Sequence, residues 1–271
     1  MNGASREALA SARERLDALT DNTSVDAAKL AGELAAVTAL LDREVSLRRV
    51  ITDPAQSGEA KAELVGRLLS GQVGGETLDL VSGMARSRWS QSRDLVDSLE
   101  ELAAIADLTA AQQSGALDNV EDEVFRFGRI VSSSTELRSA LTDRTATASA
   151  KSELLRSLLG GKANAVTERL IVRLVTHPRG RSLEAGLESL SKLAAERRDR
   201  MVATVTTAVP LSDVQKQRLG AVLAKLYGRQ MHLNLEVDPE VLGGIVVRVG
   251  DEVIDGTIAD RLSEATRRMA G

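Results

Sequence analysis

Leu47-Arg48-Arg49-Val50-Ile51-Thr52-Asp53 returns ninety residues later as Leu137-Arg138-Ser139-Ala140-Leu141-Thr142-Asp143. The match runs on without gaps, pairing Ala60-Lys61 with Ala150-Lys151, Glu63-Leu64 with Glu153-Leu154 and Leu68-Leu69 with Leu158-Leu159. Ten of these 23 positions are identical, where average residue usage would give roughly one or two. Just upstream, the same offset lays the stripe Leu30, Leu34, Val37, Leu41 onto Val120, Val124, Phe127, Val131. Core-type positions fall on core-type positions, which is the mark of an internal duplication. Spacings of three and four residues make the repeated unit helical.

Within the first copy, Ser5 can cap a helix to about Leu19, with Leu9, Ala12 and Leu16 on one stripe. Asp21 to Ser24 is a polar break before the second helix. A short third helix ends at Asp53-Pro54. Ser57 opens a fourth, and Gly71 with Gly74-Gly75 ends it. The fifth runs from Thr77 to Arg86, with Leu78, Val81 and Met84 inward. The helix after Ser92 carries Leu95, Leu99, Leu102 and Ile105. The offset places Leu9 on Leu99 and Ala12 on Leu102, so this helix would close the first bundle and open the second. The second copy ends with a helix near Ser182 to Arg198. The fold class is therefore mostly α: two consecutive bundles of six-helix type, residues 1–110 and 95–200, then a smaller domain over 201–271.

In that last domain the pattern changes. Val202 to Ala208 is rich in β-branched residues and reads as a strand that Pro210 ends. Ser212 and Gln215 form a capping box for a helix lined by Leu219, Val222 and Leu226. Met231, Leu233, Leu235 and Val237 alternate as a half-buried strand. Ile245, Val247 and Val249 repeat that spacing, Gly250-Asp251 supplies a turn, and Glu252 to Ile254 returns. Thr257 and Asp260 start a final helix from Ile258 to Met269. The order is β-α-β-β-α, a sheet with one covered and one wetter face.

Composition excludes several functions. Apolar residues at 43% and charged residues at 27% belong to an ordinary globular chain. A net charge of −4 gives no general attraction to nucleic acid or anionic lipid. Cysteine is absent, which removes disulfides and thiolate metal sites. No apolar run is long enough to span a bilayer, and the N-terminus carries no signal pattern. Trp89, Phe125, Phe127 and Tyr227 are the only aromatics, too few for stacking platforms. Trp89 reads as a bundle-end plug or an interface anchor.

No catalytic, cofactor or metal constellation emerges. His177 and His232 stand 55 residues apart without cysteine neighbours; His177 reads as a loop residue and His232 as a surface strand position. Ser132-Ser133-Ser134 lacks the nucleophile frame and reads as a loop. Gly160-Gly161-Lys162 lacks the rest of a phosphate loop and reads as a helix end. Glu100-Glu101, Glu121-Asp122-Glu123 and the exit Arg197-Arg198-Asp199-Arg200 read as solvated helix surface.

Asp238-Pro239, Leu242-Gly243-Gly244, Gly250-Asp251, Asp255-Gly256 and Arg261-Leu262 together closely resemble the C-terminal signature of the delta subunit of bacterial F-type ATP synthases. Its mitochondrial relative is the oligomycin-sensitivity-conferring protein. Thr257 stands where relatives usually have serine, which keeps the hydroxyl. Residues 118–271 resemble a whole delta subunit, and 1–110 a second copy of its bundle, as in the long actinobacterial form. The resemblance implies a non-catalytic peripheral-stalk subunit at the cytoplasmic face of the membrane. Its bundle would receive an N-terminal helix of an alpha subunit, and its tail domain the C-terminal ends of the b subunits.

Amphipathic bundles can leave an apolar groove for one more helix. The expected groove lies between the first and fifth helices of either unit. Leu9, Leu16, Leu78 and Val81 would line it in the first, and Leu99, Leu102, Leu170 and Leu174 in the second. The second unit is expected to make the main head contact because it adjoins the tail. Taken singly, each of the eight fits internal core better. Gly243, Gly244, Gly250, Asp251, Asp255 and Gly256 are expected to be structural. The duplication alone also fits a helical adaptor with other partners.

Overall fold

A computed structural model of the chain describes residues 2–20, 25–198, 201–227, 231–238, 241, 243–249 and 252–256. They fall into two compact units, Met1–Arg197 and Arg198–Gly271. The first is helical: α1 (Gly3–Thr20), α2 (Ala27–Arg43), α3 (Val45–Ile51), α4 (Gly58–Leu69), α5 (Gly75–Arg86), α6 (Ser92–Gln113), α7 (Leu117–Ser133), α8 (Thr135–Thr142), α9 (Ala148–Leu159), α10 (Ala165–Thr176) and α11 (Leu183–Arg198). The polar break at Asp21 to Ser24 lies outside the described residues.

The ninety-residue period holds at the level of single hydrogen bonds. Ser57 Oγ accepts the Ala60 amide at the start of α4, and Thr147 Oγ1 accepts the Ala150 amide at the start of α9. Asp53 accepts from Ala55 N–H, and Asp143 from Thr145 N–H. That amide, helped by the Thr145 hydroxyl, holds the Asp143 carboxyl below the usual carboxylate range. Gly71 and Gly161 both turn through positive φ, at 73° and 69°, where a Cβ would clash with the backbone. Glu33 accepts from Gly74 N–H and the Thr77 hydroxyl, while Glu123 accepts from Asn164 N–H and the Thr167 hydroxyl. These carboxylates staple α2 to α5 and α7 to α10 across helix N-termini that have no intrahelical partner for their amides. Glu33→Ala and Glu123→Ala are each expected to cost about 1–3 kcal/mol by stranding the half-buried donors. Chemical denaturation of each variant measures this.

Helix α6 packs between the helices of the two repeats. Fifteen of its 22 residues are buried, more than one stripe of an amphipathic helix could supply. It packs against α1, α2 and α3 on one side and against α7 and α10 on the other. Its alanines, Ala103, Ala104, Ala106 and Ala111, lie in the core and permit close approach. Gly115, at φ 70°, ends the helix. Trp89 is buried in the same core, and its Nε1–H donates to Met84 O at 2.8 Å.

Several local readings change. Ser5 does not cap α1; it is buried within the helix, donates to Asp94 Oδ2 at 2.7 Å and accepts from Ser90 N–H. Ser132 and Ser133 form the last turn of α7, and Ser134 caps α8 by accepting Leu137 N–H, so the serine run is no loop. His177 keeps its reading: it is exposed and non-helical just after α10, where it is the C-cap.

The second unit contains β1 (Met201–Thr207), α12 (Asp213–Tyr227), β2 (Met231–Val237), β3 (Ile245–Val249) and β4 (Glu252–Asp255). Strand order is β2-β1-β3-β4, with β1 parallel to β2 and the other pairs antiparallel. Ala203, Val205, Val247 and Val249 share a face with Leu233 and Leu235 and meet Leu223 of α12. The capping box forms: the Ser212 amide donates to Gln215 Oε1, and the Gln215 amide to Ser212 Oγ. The expected helix face is corrected. Leu219, Leu223 and Tyr227, four residues apart, meet the sheet, whereas Val222 and Leu226 are exposed. The stripe read from Leu219 by steps of three and four ran off the sheet-facing side. The Gly250-Asp251 turn, the His232 side chain and the final helix lie outside what is described.

Candidate helix-docking surfaces

The first expected groove, between α1 and α5, is a packed seam. Leu16 and Val81 are 0% and 2% exposed, whereas Leu9 and Leu78 are half-buried at its edge. Arg15 closes the surface over it, donating through Nε and Nη2 to both oxygens of Asp79 at 2.7 and 2.6 Å. This pair is about half exposed, so it contributes little stability and can open.

The second expected groove, between α6 and α10, is closed. Leu99, Leu102, Leu170 and Leu174 are all buried, because α6 faces a full helical layer on each side. Helix α11 lies over the pair, with Gly186 so close to Leu174 that a Cβ would overlap it. Between the three helices only a pocket of about 180 Å³ is left.

Charge locks this junction. Asp107, fully buried, accepts from Arg169 Nε and Nη2 at 3.0 and 2.8 Å and from Arg173 Nη2 at 2.9 Å. Arg179, 4% exposed, stands at φ 49° and reaches Asp42 and Glu100, each at 3.5 Å. A non-glycine residue in that region costs about 1–2 kcal/mol; its guanidinium Nη1 donates to Val96 O at 3.2 Å. Glu100 also binds Arg181. Arg197 donates to Asp17 and Gln112, each at 2.7 Å. Glu100 and Arg197 are thus buried partners, not solvated surface, and Glu123 is the staple described above. Their partners lie more than forty residues away, where local charge patterning gives no signal.

A third surface was not expected. Helices α7 and α11 stand apart, leaving an open groove of about 920 Å³ whose lining includes Val124, Phe125 and Gly128 on one side and Glu184, Leu187 and Glu188 on the other. Phe125 is 57% exposed. The sequence signal is Phe125 itself, an aromatic beside rather than on the α7 stripe.

Residues 103–269 match the pattern of the ATP synthase delta (OSCP) subunit family. The chain belongs to that family. The ATP synthase subunit delta of Streptomyces griseus subsp. griseus is 85% identical over the full length of both chains. That of Streptomyces coelicolor is 78% identical, covering all of this chain and 98% of its own. That of Thermobifida fusca is 49% identical over the full length of both. A chain of the Toxoplasma gondii mitochondrial ATP synthase hexamer gives only a slight likeness, with a TM-score of 0.28 and 20% identity over 62% of this chain and 95% of that one. Delta-family proteins are components of the peripheral stalk of ATP synthase.

In this delta-family chain the described signature residues make backbone turns and close approaches. Gly243 and Gly244 take φ of 63° and 99° just before β3. Gly256 N–H donates to Ile245 O at 2.9 Å, and a Cβ there would sit 3.1 Å from the same oxygen. The Asp255 backbone pairs with Val246 in the β3–β4 hairpin. Gly250 and Asp251 lie outside the described residues. No described helix is long and apolar enough to cross a membrane.

Proposed function

We propose that this delta-family subunit is a non-catalytic brace of the stator, joining the alpha subunits of the catalytic head to the b subunits of the stalk. It works at the cytoplasmic face of the membrane, held there through the complex. The carrying observation is the junction of the two helical copies. A shared α6 and the buried Asp107–Arg169–Arg173 cluster join them into one body, which suits a part that resists torque. A joint under torque also needs slow release, which buried anchors provide better than rim charge.

The N-terminal helix of an alpha subunit docks on the α1–α5 seam, with Leu9 and Leu78 as the reachable contacts over Leu16 and Val81. The four corresponding leucines of the second copy are buried, with α11 lying against Leu174. The sheet unit takes the C-terminal ends of the b subunits. Leu9→Ala with Leu78→Ala is expected to weaken binding of an alpha N-terminal peptide by about tenfold or more while the helical unit stays folded by circular dichroism. Unchanged peptide affinity in isothermal titration would reject the seam. The wider reading is tested by reconstituting a stripped head and membrane sector with and without this chain. Proton-coupled ATP synthesis should return only with it.

A further inference from the structure

We infer that the α7–α11 groove is a docking site for a second amphipathic helix, supplied by another subunit of the assembled ATP synthase. The chain contains its own comparison. In the first copy the corresponding seam, α2 against α6, is the most extensively packed helix pair of the unit. Its α2 side is built from the small residues Ala27, Ala31, Ala35 and Thr38, which let the backbones approach. Ninety residues on, those positions are Leu117, Glu121, Phe125 and Gly128. Glu121 and Phe125 are too large for that approach, and α11 stands off.

A surface that receives a helix in one copy is left open in the other, with a larger apolar residue on it. Preferred ridge-and-groove geometry makes a helix the occupant that fits such a surface. Charge sets its flanks. The α11 wall presents Glu188, and Glu184 at 3.8 Å from Arg138, while Arg129 lines the α7 side. A helix with an apolar stripe, basic residues toward α11 and acidic residues toward α7 matches both walls. The groove is separate from the α1–α5 seam, and the inference rests only on the chain working inside the complex.

The absence of cysteine permits a direct test. Ser132→Cys, exposed and lining the groove, is labelled with a maleimide in the free chain and in the assembled synthase. Ser149→Cys on α9, also exposed, serves as control. The expected result is labelling of Ser132→Cys slowed about tenfold or more on assembly, with the control unaffected. Gly128→Leu then plugs the groove. A Cβ at Gly128 meets nothing within 4 Å, and leucine is the better helix former, so the free chain should be no less stable. In that background the slowing on assembly should vanish. Equal labelling before and after assembly overturns the inference. So does slow labelling already in the free chain, which would mean that the chain covers its own groove, and so does slowing that survives Gly128→Leu. Failure of the stator reading is distinguishable, because the synthase would then assemble and couple without this chain.

Discussion

Asp107→Ala is expected to destabilise the helical unit by about 3–5 kcal/mol, since it leaves two guanidinium groups facing a site with no counter-charge. Asp107 is wholly buried and holds Arg169 and Arg173 of α10 against the middle of α6. Arg169 is partly exposed and can turn toward water, whereas Arg173 is mostly enclosed and bears most of the loss. Asp79→Ala, which breaks the exposed Arg15 pair, should cost no more than about 1 kcal/mol. Replacing Asp107, Arg169 and Arg173 together by leucine or methionine should recover most of the stability, because a buried ion cluster is worth little against apolar packing. Urea titration followed by far-ultraviolet circular dichroism reads all three. A loss at Asp107 as small as that at Asp79 would show that the cluster is not what joins α6 to α10.

Leu102→Ala should cost about 2–5 kcal/mol, the range for removing a large aliphatic side chain from a closed core. Leu102 is fully buried at the centre of α6, so the cavity opens where both copies draw on the same helix. The two copies should therefore lose stability together, in a single shifted transition, rather than one melting ahead of the other. Leu9→Ala, at a half-buried edge position, should fall well below that range. Two separate transitions in the Leu102 variant would mean that each copy folds around α6 independently. The same pair of variants separates core from contact among the leucines first considered for the groove.

Much of the architecture was legible because it is local. The stripe Leu30, Leu34, Val37, Leu41 and its repeat are all buried, Ser57 caps where its spacing predicts, and Ser212 and Gln215 exchange hydrogen bonds as a capping box. Periodicity reports which side of a helix is apolar, and the offset shows that one unit was copied. It does not report which apolar residue turns inward when two faces compete. Hence Leu223 holds the sheet in place of Val222. Nor does it reveal pairings across the chain: Arg179 finds Glu100, Arg197 finds Asp17 and Ser5 finds Asp94 through contacts that exist only after the helices assemble. The α7–α11 groove escaped for the same reason. It lies where Leu117, Glu121 and Phe125 replace alanines ninety positions earlier, and size difference between repeats leaves no periodic trace.

The ninety-residue offset carries α1–α5 onto α6–α10, five helices per period, with α11 following. Excising one period by joining Leu16 directly to Asp107 would keep the helical phase and leave one complete bundle. Inserting a period at the same point would lengthen the brace by a bundle without introducing a hinge. The length of such a chain can therefore change in whole steps through recombination inside a single helix.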